Sequence, residues 1–520
     1  MQHKILIAEP LGKEGLELLQ QHTNVDVCLK LSPDDLKAIL PTYHALIVRS
    51  ATQVNDALFD AGENLIVVGR AGVGVDNIDV ASATKHGITV VNAPTTNIVA
   101  AAEHAVAILW ALARNIPQAD ASVRRGEWKR EQFSGVELVG KRLGLVGLGR
   151  VGSEVARRAV GLGMEVVAFD PYVTLERAAQ MQVKMISFDE VLATSDFVSL
   201  HTPVTKETKK LLGADEFAKF KKGARLVNAA RGALLDENAL LDALDAGQLA
   251  GAALDVMEQE PTKNERLLNH PRVVVTPHIG GSTAEAATRV SLEIAEEVLA
   301  VLEGRPAKFA VNAPMVSASL AQILHPYMDL AERLGRLYTK WVGGPLGKLE
   351  IEYAGKIAAE DTGVLTAGII KGLLEPIVET RVNVVNAALL AQTHGLSLAE
   401  RKTRDVSRYE NIITITGERR VSGTLLHDEP HIVQLDGNWV DFVPSGYVML
   451  TRHRDRPGMI GKVGTLLGAA DINIASMQVA RDGPRGEAIM VLTLDDPVPQ
   501  DVMEKIYQEL DIQWSKVLDL

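Results

Sequence analysis

Three residues with useful chemistry follow three successive predicted strands near the middle of the chain. Arg231 follows the apolar run ARLVNAA, Glu260 lies shortly beyond AGAALDV, and His278 follows RVVVTP. Parallel strands present their carboxyl ends at one edge of a sheet, so we expect these side chains to meet there. An arginine can hold a substrate carboxylate, a histidine can accept a hydroxyl proton, and a carboxylate can stabilise the imidazolium. Taken singly, such an arginine or glutamate is more often a solvated charge, and such a histidine is more often structural.

A glycine-rich segment supplies a cofactor site that completes this chemistry. GLGRVG, with Gly147, Gly149 and Gly152, directly follows the apolar run LGLV and precedes a helical pattern. Glycines at this spacing let a pyrophosphate approach the backbone where a helix begins and its N–H groups are unpaired. Asp170 ends the next predicted strand, where it can accept hydrogen bonds from ribose hydroxyls and repel a 2′-phosphate. The segment predicts NAD rather than NADP, the alternative being a tight turn without a ligand; no metal site is predicted.

The composition limits the class of protein. A chain of 520 residues with 47% apolar and 23% charged residues is ordinary for several soluble domains. The net charge of −12 argues against a nucleic-acid partner, and the single cysteine, Cys28, fits a reducing compartment. The first apolar run is too short for a secretory signal, and the run at 98–113, interrupted by Glu103 and His104, predicts a buried helix. We therefore expect a cytoplasmic protein without a membrane partner.

The elements that position these residues follow from the pattern of apolar runs. Short β-branched runs alternate with helical patterns over residues 4–94 and again over 143–279. Each alternation predicts a parallel sheet with helices on both faces, and the upstream one is expected to bind the substrate. Residues 316–445 are strand-rich around a helical middle, and residues 446–520 show the order βαββαβ. The fold class is α/β: two doubly wound parallel-sheet domains, an α+β domain and a small ferredoxin-like domain.

The motifs GLGRVG, NAARG, DVMEQEP and TPHIGG resemble those of the NAD-dependent D-isomer-specific 2-hydroxyacid dehydrogenases over roughly residues 1–314. The segments RSATQV and GRAGVGVDNID, together with the C-terminal region, extend the resemblance over the full chain to the long-form members that oxidise D-3-phosphoglycerate. The resemblance implies that the NAD-binding domain is inserted into the substrate-binding domain. The implied ranges are 1–96 and 284–314 for the substrate-binding domain, 97–283 for the Rossmann domain, 315–445 for an intervening allosteric domain and 446–520 for an ACT regulatory domain.

The resemblance also implies which residues bind and react. The catalytic residues would be Arg231, Glu260 and His278. Family members usually carry threonine where this chain has Val73, so only a backbone contact is expected there. The implied NAD contacts are, besides Arg231 and His278, Val73, Gly147, Gly149, Arg150, Val151, Gly152, Asp170, Thr202, Ala229, Asp255, Gly280 and Gly281.

A substrate with a carboxylate and a phosphate at opposite ends needs more than one cation. Arg231 accounts for one end, while Arg49 and Arg70, each at the end of a predicted strand, are candidates for the other. Asn97 is expected close by, and the resemblance suggests that Arg130 reaches across a dimer interface. Each of these arginines could instead form a structural salt bridge.

The implied activity is the NAD-dependent oxidation of D-3-phosphoglycerate to 3-phosphohydroxypyruvate, the first committed step of L-serine synthesis. The implied assembly is a homotetramer. Two alternatives stay open: another D-2-hydroxyacid dehydrogenase, such as a glyoxylate or hydroxypyruvate reductase, and a non-enzymatic NAD-sensing protein like the dehydrogenase-related corepressors.

The segment MLTRHRDRPGMIGKVGTLLGAADINI resembles an ACT domain, a small fold that binds amino acids. Gly458 would let backbone N–H groups face a ligand carboxylate at a helix start. The resemblance implies effector contacts at His453, Asp455 and Asn473, with L-serine as effector; the alternative is a domain used only for oligomer contacts. The intervening region carries basic residues that either form an anion site or, more simply, a solvated face: Arg401, Lys402, Arg404 and Arg408.

Overall fold

The computed structural model describes residues 3–314, 318–406, 408–510 and 512–520. The chain divides into two compact units. One comprises Met1–Pro10, Glu17–Asn92 and Ile294–Leu520, and the other comprises Leu11–Leu16 and Ala93–Glu293. The predicted domain boundary at residue 315 lies outside the described residues, and the predicted domain ranges stay predictions.

The N-terminal sheet consists of short parallel strands, each followed by a helix until the last. The strands are β1 (Lys4–Ile7), β2 (Asn24–Val27), β3 (Ala45–Val48), β4 (Val67–Arg70) and β5 (Thr89–Asn92). The helices are α1 (Lys13–His22), α2 (Pro33–Ile39), α3 (Asp56–Ala61) and α4 (Val80–Lys85), with a 3₁₀ turn at Leu40–Thr42. The spatial order is β2-β1-β3-β4-β5, all parallel, as the alternation predicts.

The second unit contains a larger parallel sheet. Its strands are β6 (Arg142–Val146), β7 (Glu165–Phe169), β8 (Lys184–Met185), β9 (Phe197–Leu200), β10 (Ala224–Asn228), β11 (Leu249–Leu254) and β12 (Val273–Val275). The order is β12-β11-β10-β9-β6-β7-β8, so the winding reverses between β6 and β9. Open parallel sheets bind ligands beside such a reversal, at the carboxyl ends of the strands.

Helices surround this sheet in chain order. They are α5 (Ile98–Ala113), α6 (Ile116–Arg124), α7 (Arg150–Gly161), α8 (Leu175–Gln180), α9 (Phe188–Thr194), α10 (Ala214–Lys219), α11 (Glu237–Asp245) and α12 (Glu265–Leu268), with 3₁₀ turns at Arg130–Phe133 and Gly232–Leu234. The next helix, α13 (Ala284–Leu302), instead places Ile294 and Val298 against Gly69 of β4. Among the described residues no single helix is long and apolar enough to cross a membrane, although α5 and α6, bent by 62°, pass that test of length and composition as a pair.

Successive side chains of the larger sheet enter two separate hydrophobic cores. Val166 and Ala168 belong to the core beneath α5 and α7, whereas Val167 between them belongs to the opposite core. Strand side chains alternate between faces, so a sheet covered on both sides needs apolar residues at every position. This requirement explains why the sequence shows continuous apolar runs instead of alternation.

The region after α13 forms a mixed sheet with helices packed against it. Its strands are β13 (Lys348–Gly355), β14 (Ser397–Thr403), β15 (Asn411–Thr416), β16 (Arg420–Leu426), β17 (Glu429–Leu435) and β18 (Asn438–Phe442), and its helices are α14 (Ala318–Val342), α15 (Gly363–Leu374) and α16 (Ala387–Thr393), with a 3₁₀ turn at Lys356–Ala359. The order is β14-β13-β15-β16-β17-β18, and among these neighbours β13 and β14 run parallel while the others are antiparallel.

The C-terminal region has the predicted order βαββαβ. Its elements are β19 (Tyr447–Arg454), α17 (Met459–Ala469), β20 (Ile474–Arg481), β21 (Glu487–Leu494), α18 (Gln500–Leu510) and β22 (Ile512–Asp519). The strands form an antiparallel sheet in the order β20-β21-β19-β22. The predicted fold class is therefore confirmed in all its parts.

Candidate active site

The site is built on the aligned carboxyl ends of β10, β11 and β12. Asn228 pairs with Leu254 across the first two strands, and Leu254 pairs with Val275 across the next two. Each strand then ends within a few residues of a functional side chain. The structure thus brings the segments that carry Arg231, Glu260 and His278 to one edge of one sheet, as the sequence predicts.

His278 and Glu260 form a direct pair at this edge. The Nδ1 atom of His278 lies 2.6 Å from Oε2 of Glu260, and the two side chains are 45% and 36% exposed. The other carboxylate oxygen, Oε1, accepts a hydrogen bond of 3.1 Å from the backbone N–H of Met257. The Nδ1 side of the imidazole is therefore fixed by the protein.

The protonation of this pair follows from the environment of the carboxylate. Partial burial opposes the charge of Glu260, but the hydrogen bonds from His278 and from the Met257 N–H outweigh it and lower its pKa below the ordinary value. An ionised carboxylate only accepts hydrogen bonds, so Nδ1 of His278 must carry a hydrogen. In a neutral imidazole the lone pair then lies on Nε2, which is the atom able to take a proton.

The backbone of His278 adopts a left-handed conformation, with φ of 54°. Few residues other than glycine adopt this region, and the outliers often mark functional sites. Its N–H donates to the carbonyl of Asp255 at 2.9 Å and to that of Thr276 at 3.0 Å. These bonds hold the turn that directs the imidazole toward Glu260.

Arg231 is positioned by a buried asparagine. Asn228 is 0% exposed, and its side chain donates to the carbonyl of Arg231 at 2.9 Å and accepts from the N–H of Ala230 at 3.0 Å. Close packing at Gly232, where a Cβ would collide with the carbonyl of Met257, fixes the following turn. The backbone of Arg231 is therefore fixed by Asn228 on one side and by the close packing of Gly232 on the other.

The glycine-rich loop has the geometry that its sequence predicts. Gly147 has φ of 98°, and a Cβ there would lie 2.6 Å from the carbonyl oxygen of His201. A Cβ at Gly152 would collide with the carbonyl of Gly147, so the helix packs directly on the loop. The carboxylate of Asp170 accepts hydrogen bonds of 2.8 Å from the N–H groups of Leu148 and Tyr172, which fixes it beside the loop.

The residues present fit a dinucleotide. A Cβ at Gly149 would meet nothing within 4 Å, so open space borders the first turn of α7, where helix N–H groups are unpaired. The buried hydroxyl of Thr202 has no hydrogen-bond partner among the described residues. Thr202 lies two residues after the end of β9, on the other side of the reversal of the sheet. A pyrophosphate beside the loop would fill the space and give these groups partners.

The other predicted cofactor residues surround the same loops. Gly280 packs against Asp255, and a Cβ on Gly281 would lie 2.7 Å from the side-chain nitrogen of Asn97 at the start of α5. Arg150 lies in the first turn of α7 and is exposed, whereas Val151 and Ala229 are partly buried against the core. Their contacts with NAD stay predictions.

Four other residues, predicted to contact the substrate, NAD or a second subunit, each have a defined place in the secondary structure. Arg49 directly follows β3 and its N–H donates to Glu9 at 2.9 Å; Arg70 ends β4. The carbonyl of Val73 accepts a hydrogen bond of 2.5 Å from Asn92. Arg130 begins the exposed 3₁₀ turn at Arg130–Phe133. Their predicted roles at the substrate, at NAD and at a dimer interface stay predictions.

The ACT-like region contains a cavity of about 420 Å³ at the start of α17. His453 and Asp455 line it, together with Gly458, whose φ is 90°. His453 is 1% exposed, and its Nε2 has no hydrogen-bond partner among the described residues. Asp455 is held by Arg481 at 2.7 Å. Asn473 donates instead to Asp495 at 2.6 Å, so the structure groups the first two predicted effector residues but not the third.

Sequence reasoning missed His201, which directly follows β9. Its Nε2 lies 2.9 Å from Oγ of the buried Ser199, and burial lowers the pKa of His201 to about 4. The available signal was a histidine ending the apolar run FVSL at the same sheet edge.

We predict that His201 makes this protein sensitive to acid. In the unfolded state His201 binds a proton near pH 6.5, whereas in the folded state it stays neutral down to about pH 4. The free energy of unfolding therefore falls as the pH drops from about 6.5 toward 4, by at most ~1.4 kcal/mol per pH unit. His201→Gln should reduce the shift in urea midpoint between about pH 7 and about pH 5. The exposed His22→Gln is the control, and an unchanged shift in His201→Gln would contradict the prediction.

Family models match three parts of the chain. The NAD-binding domain of D-isomer specific 2-hydroxyacid dehydrogenases matches residues 106–280, the intervening domain of D-3-phosphoglycerate dehydrogenase matches 323–436, and the ACT domain matches 447–511. These matches confirm the resemblance seen in the motifs and the expected cofactor, NAD.

Several curated proteins are similar over the whole chain. A D-3-phosphoglycerate dehydrogenase of Archaeoglobus fulgidus is 43% identical over 97% of both chains, and one of Bacillus subtilis is 43% identical over 99% of both. Among solved structures, a D-lactate dehydrogenase of Treponema pallidum (32% identity, TM-score 0.52) covers 59% of this chain and 99% of its own. An NAD-dependent formate dehydrogenase of Staphylococcus aureus in complex with NAD (30% identity, TM-score 0.53) covers 58% of this chain and 96% of its own.

Proposed function

Because the chain belongs to the family of D-3-phosphoglycerate dehydrogenases, we propose that it oxidises D-3-phosphoglycerate to 3-phosphohydroxypyruvate with NAD. The observation that carries this proposal is the pair of His278 and Glu260, 2.6 Å apart, at the ligand-binding edge of an NAD-binding domain. The alternatives of a glyoxylate or hydroxypyruvate reductase and of a non-enzymatic sensor are not favoured by the full-length similarity to phosphoglycerate dehydrogenases.

The proposed reaction needs one base, one anchor and one hydride acceptor. Nε2 of His278 accepts the proton from the C2 hydroxyl as the C2–H bond breaks and the C2–O bond becomes a carbonyl. NAD, held by the glycine-rich loop and Asp170, would supply the hydride acceptor. Glu260, held ionised by its hydrogen bonds, stabilises the imidazolium that results. In the reverse direction the same imidazolium returns its proton to the carbonyl oxygen.

Arg231 is the proposed anchor for the substrate carboxylate and the neighbouring carbonyl. Its guanidinium can donate two parallel hydrogen bonds to a carboxylate, which a lysine cannot do. Arg49 and Arg70 are the proposed ligands of the phosphate, and Asn97 is a further proposed substrate contact. This division of labour would account for a preference for phosphorylated over unphosphorylated acids.

The activity is tested with purified full-length protein. NADH oxidation should be rapid with 3-phosphohydroxypyruvate and at least about tenfold less efficient, as kcat/KM, with hydroxypyruvate or glyoxylate, since one charged contact is worth roughly 1.5–3 kcal/mol. Equal efficiency with glyoxylate would support the reductase alternative. Binding of NADH without turnover of any of the three acids would support the sensor alternative.

We predict that Asp170 sets the preference for NADH over NADPH. Its fixed carboxylate would repel a 2′-phosphate, so Asp170→Ala and the isosteric Asp170→Asn should lower the ratio of kcat/KM for NADH to that for NADPH by about tenfold or more, the equivalent of ~1.4 kcal/mol. The control is Glu165→Gln, since Glu165 lies at the amino end of β7, the strand that Asp170 follows, and pairs with Arg142 at 2.8 Å. An unchanged ratio in both Asp170 variants would show that the ribose contact is misassigned.

We propose that the cavity lined by His453 and Asp455 binds an amino-acid effector, with L-serine as the expected one. The start of α17 would receive the effector carboxylate, and Asp455 would receive its ammonium group. Addition of L-serine to the NADH assay should lower turnover in the unmodified protein. Turnover that does not respond to serine would leave this region a role in assembly or in binding a different effector.

The proposed assembly is a homotetramer and the proposed location is the cytoplasm. Self-association of the second unit is supported by its exposed apolar side chains. Among these side chains Ile116 is 53% exposed, Val123 is 55% exposed and Trp128 is 77% exposed. The single cysteine, Cys28, is compatible with a reducing compartment. Sedimentation equilibrium of the full chain tests the assembly, and a monomer at micromolar concentration would contradict it.

A further inference from the structure

A second histidine lies on the buried side of the catalytic turn. His104, on α5, places its Nε2 3.1 Å from Oδ1 of Asp255 and 3.1 Å from the hydroxyl oxygen of Thr276. The side chain of His104 is 17% exposed and that of Asp255 is 1% exposed. A histidine in such a place is most often a structural core residue with its hydrogen bonds made. The partners of His104, however, connect it to the turn that carries His278.

The direction of these hydrogen bonds is fixed by the charge of Asp255. Burial opposes that charge, but hydrogen bonds from His104, from Thr276 and from two backbone amides outweigh it and lower the pKa of Asp255 below its ordinary value. An ionised carboxylate accepts and cannot donate, so Nε2 of His104 carries the hydrogen. His104 is thus a donor at the centre of a buried network.

Asp255 in turn accepts hydrogen bonds from residues on both sides of His278. Its Oδ1 accepts from the Thr276 hydroxyl at 2.6 Å and from the N–H of Ile279 at 2.9 Å, and its Oδ2 accepts from the N–H of Gly280 at 2.8 Å. Its carbonyl accepts from the N–H of His278 at 2.9 Å. One residue therefore holds the chain before, at and after the left-handed His278.

We propose that His104 is a positioning residue for the acid–base step: its Nε2–H fixes the carboxylate of Asp255, which fixes the turn that presents His278 to Glu260. Loss of the donor leaves a buried carboxylate with one partner fewer, which costs more than the loss of an exposed hydrogen bond. The carboxylate then rotates or takes up a proton, and either change loosens the turn. This inference rests on the proposed dehydrogenase activity.

The charged groups that face Asp255 come from three elements. His104 approaches from α5 and Glu260 from the segment after β11, where the charge of Asp255 acts against ionisation of Glu260, while the segment after β12 brings the backbone N–H of His278 to the carbonyl of Asp255. Glu103, the neighbour of His104 on α5, points elsewhere and pairs with Arg158 at 2.9 Å. Glu103 therefore offers a matched control on the same helix.

The test compares two polar replacements of different reach in the full-length protein. His104→Gln keeps an N–H donor at about the distance of Nε2, whereas His104→Asn keeps the amide but is shorter by one carbon. We expect kcat for NADH-dependent reduction of 3-phosphohydroxypyruvate to fall about tenfold to a hundredfold in His104→Asn and to stay within about threefold of the unmodified protein in His104→Gln. The dissociation constant of NADH should change far less than kcat in both variants, because the glycine-rich loop and Asp170 are untouched.

The pH profile separates positioning from simple packing. With a donor missing, Asp255 should protonate at a higher pH, so the acidic limb of kcat should move upward in His104→Asn and not in His104→Gln or Glu103→Gln. Equal kcat and equal pH profiles in both His104 variants would overturn the proposal, whatever happens to Tm. Two equally inactive variants that bind NADH normally would also overturn it, because Gln then fails to rescue. An inactive unmodified protein would instead refute the proposed function.

Discussion

Replacement of His278 by alanine or asparagine is expected to lower kcat by about 10²–10⁴-fold, because the proton from the substrate hydroxyl then has no acceptor within the protein. Asparagine is the sharper change, since it tolerates the left-handed backbone that His278 adopts, with φ of 54°. The dissociation constant of NADH should change far less than kcat, because the glycine-rich loop and Asp170 are untouched. Steady-state kinetics and NADH fluorescence titration measure the two quantities.

A matched control exists at the other end of the same strand. His270 precedes β12 and also pairs with a carboxylate, Asp245, at 3.2 Å, but it lies away from the ligand-binding edge. His270→Asn should keep kcat within about twofold of the unmodified protein. Full activity of His278→Asn would remove the imidazole from the chemistry and return it to a structural role.

Replacement of Arg231 by lysine is expected to lower kcat/KM for 3-phosphohydroxypyruvate by roughly 10²–10⁴-fold although the charge is kept. A lysine cannot make the two parallel hydrogen bonds of the guanidinium, and each bond to a charged group contributes roughly 1.5–3 kcal/mol. Arg231→Gln should be at least as impaired. The measurement is kcat/KM at saturating NADH, with the dissociation constant of NADH as a check on the cofactor site.

The control for this change is a surface arginine of the same unit. Arg266 pairs with Asp242 at 2.7 Å and with Asp245 at 2.6 Å on the outside of the molecule. Arg266→Lys should leave kcat/KM unchanged, since such exposed pairs contribute little. If Arg231→Lys behaves in the same way, the substrate carboxylate is bound by another residue.

Most strands were predictable from the sequence, whereas the exposed edge strand β14 and the very short β8 were not. Runs such as LGLV and FVSL are continuously apolar because both faces of the sheet are covered, and each became a strand of the predicted sheet. β14, with the sequence SLAERKT, is an exposed edge strand, so it shows no apolar pattern, and its basic residues Arg401 and Lys402 indicated only an anion site or a solvated face. β8 has only two residues and leaves no signal.

The same difference separates the residues of the site. The position of Arg231 and His278 at the ligand-binding edge was predictable because each follows an apolar run, and strand ends are where parallel sheets bind ligands. His104 lies in an apolar helix 151 residues before Asp255. Asn228 holds the backbone of Arg231 through a side-chain hydrogen bond. The contact of His104 with Asp255 is a tertiary contact, which local sequence patterns do not record, whereas Asn228 bonds to residues two and three positions away.

The most direct test of the proposed activity follows the transferred hydrogen. The full-length protein is incubated with NAD and D-3-phosphoglycerate that carries deuterium at C2, with trapping of the keto product, and the nicotinamide ring is analysed by NMR. The proposed function predicts deuterium at C4 of NADH in an amount equal to the 3-phosphohydroxypyruvate formed. Binding of NAD and substrate without any deuterium in the nicotinamide would contradict it.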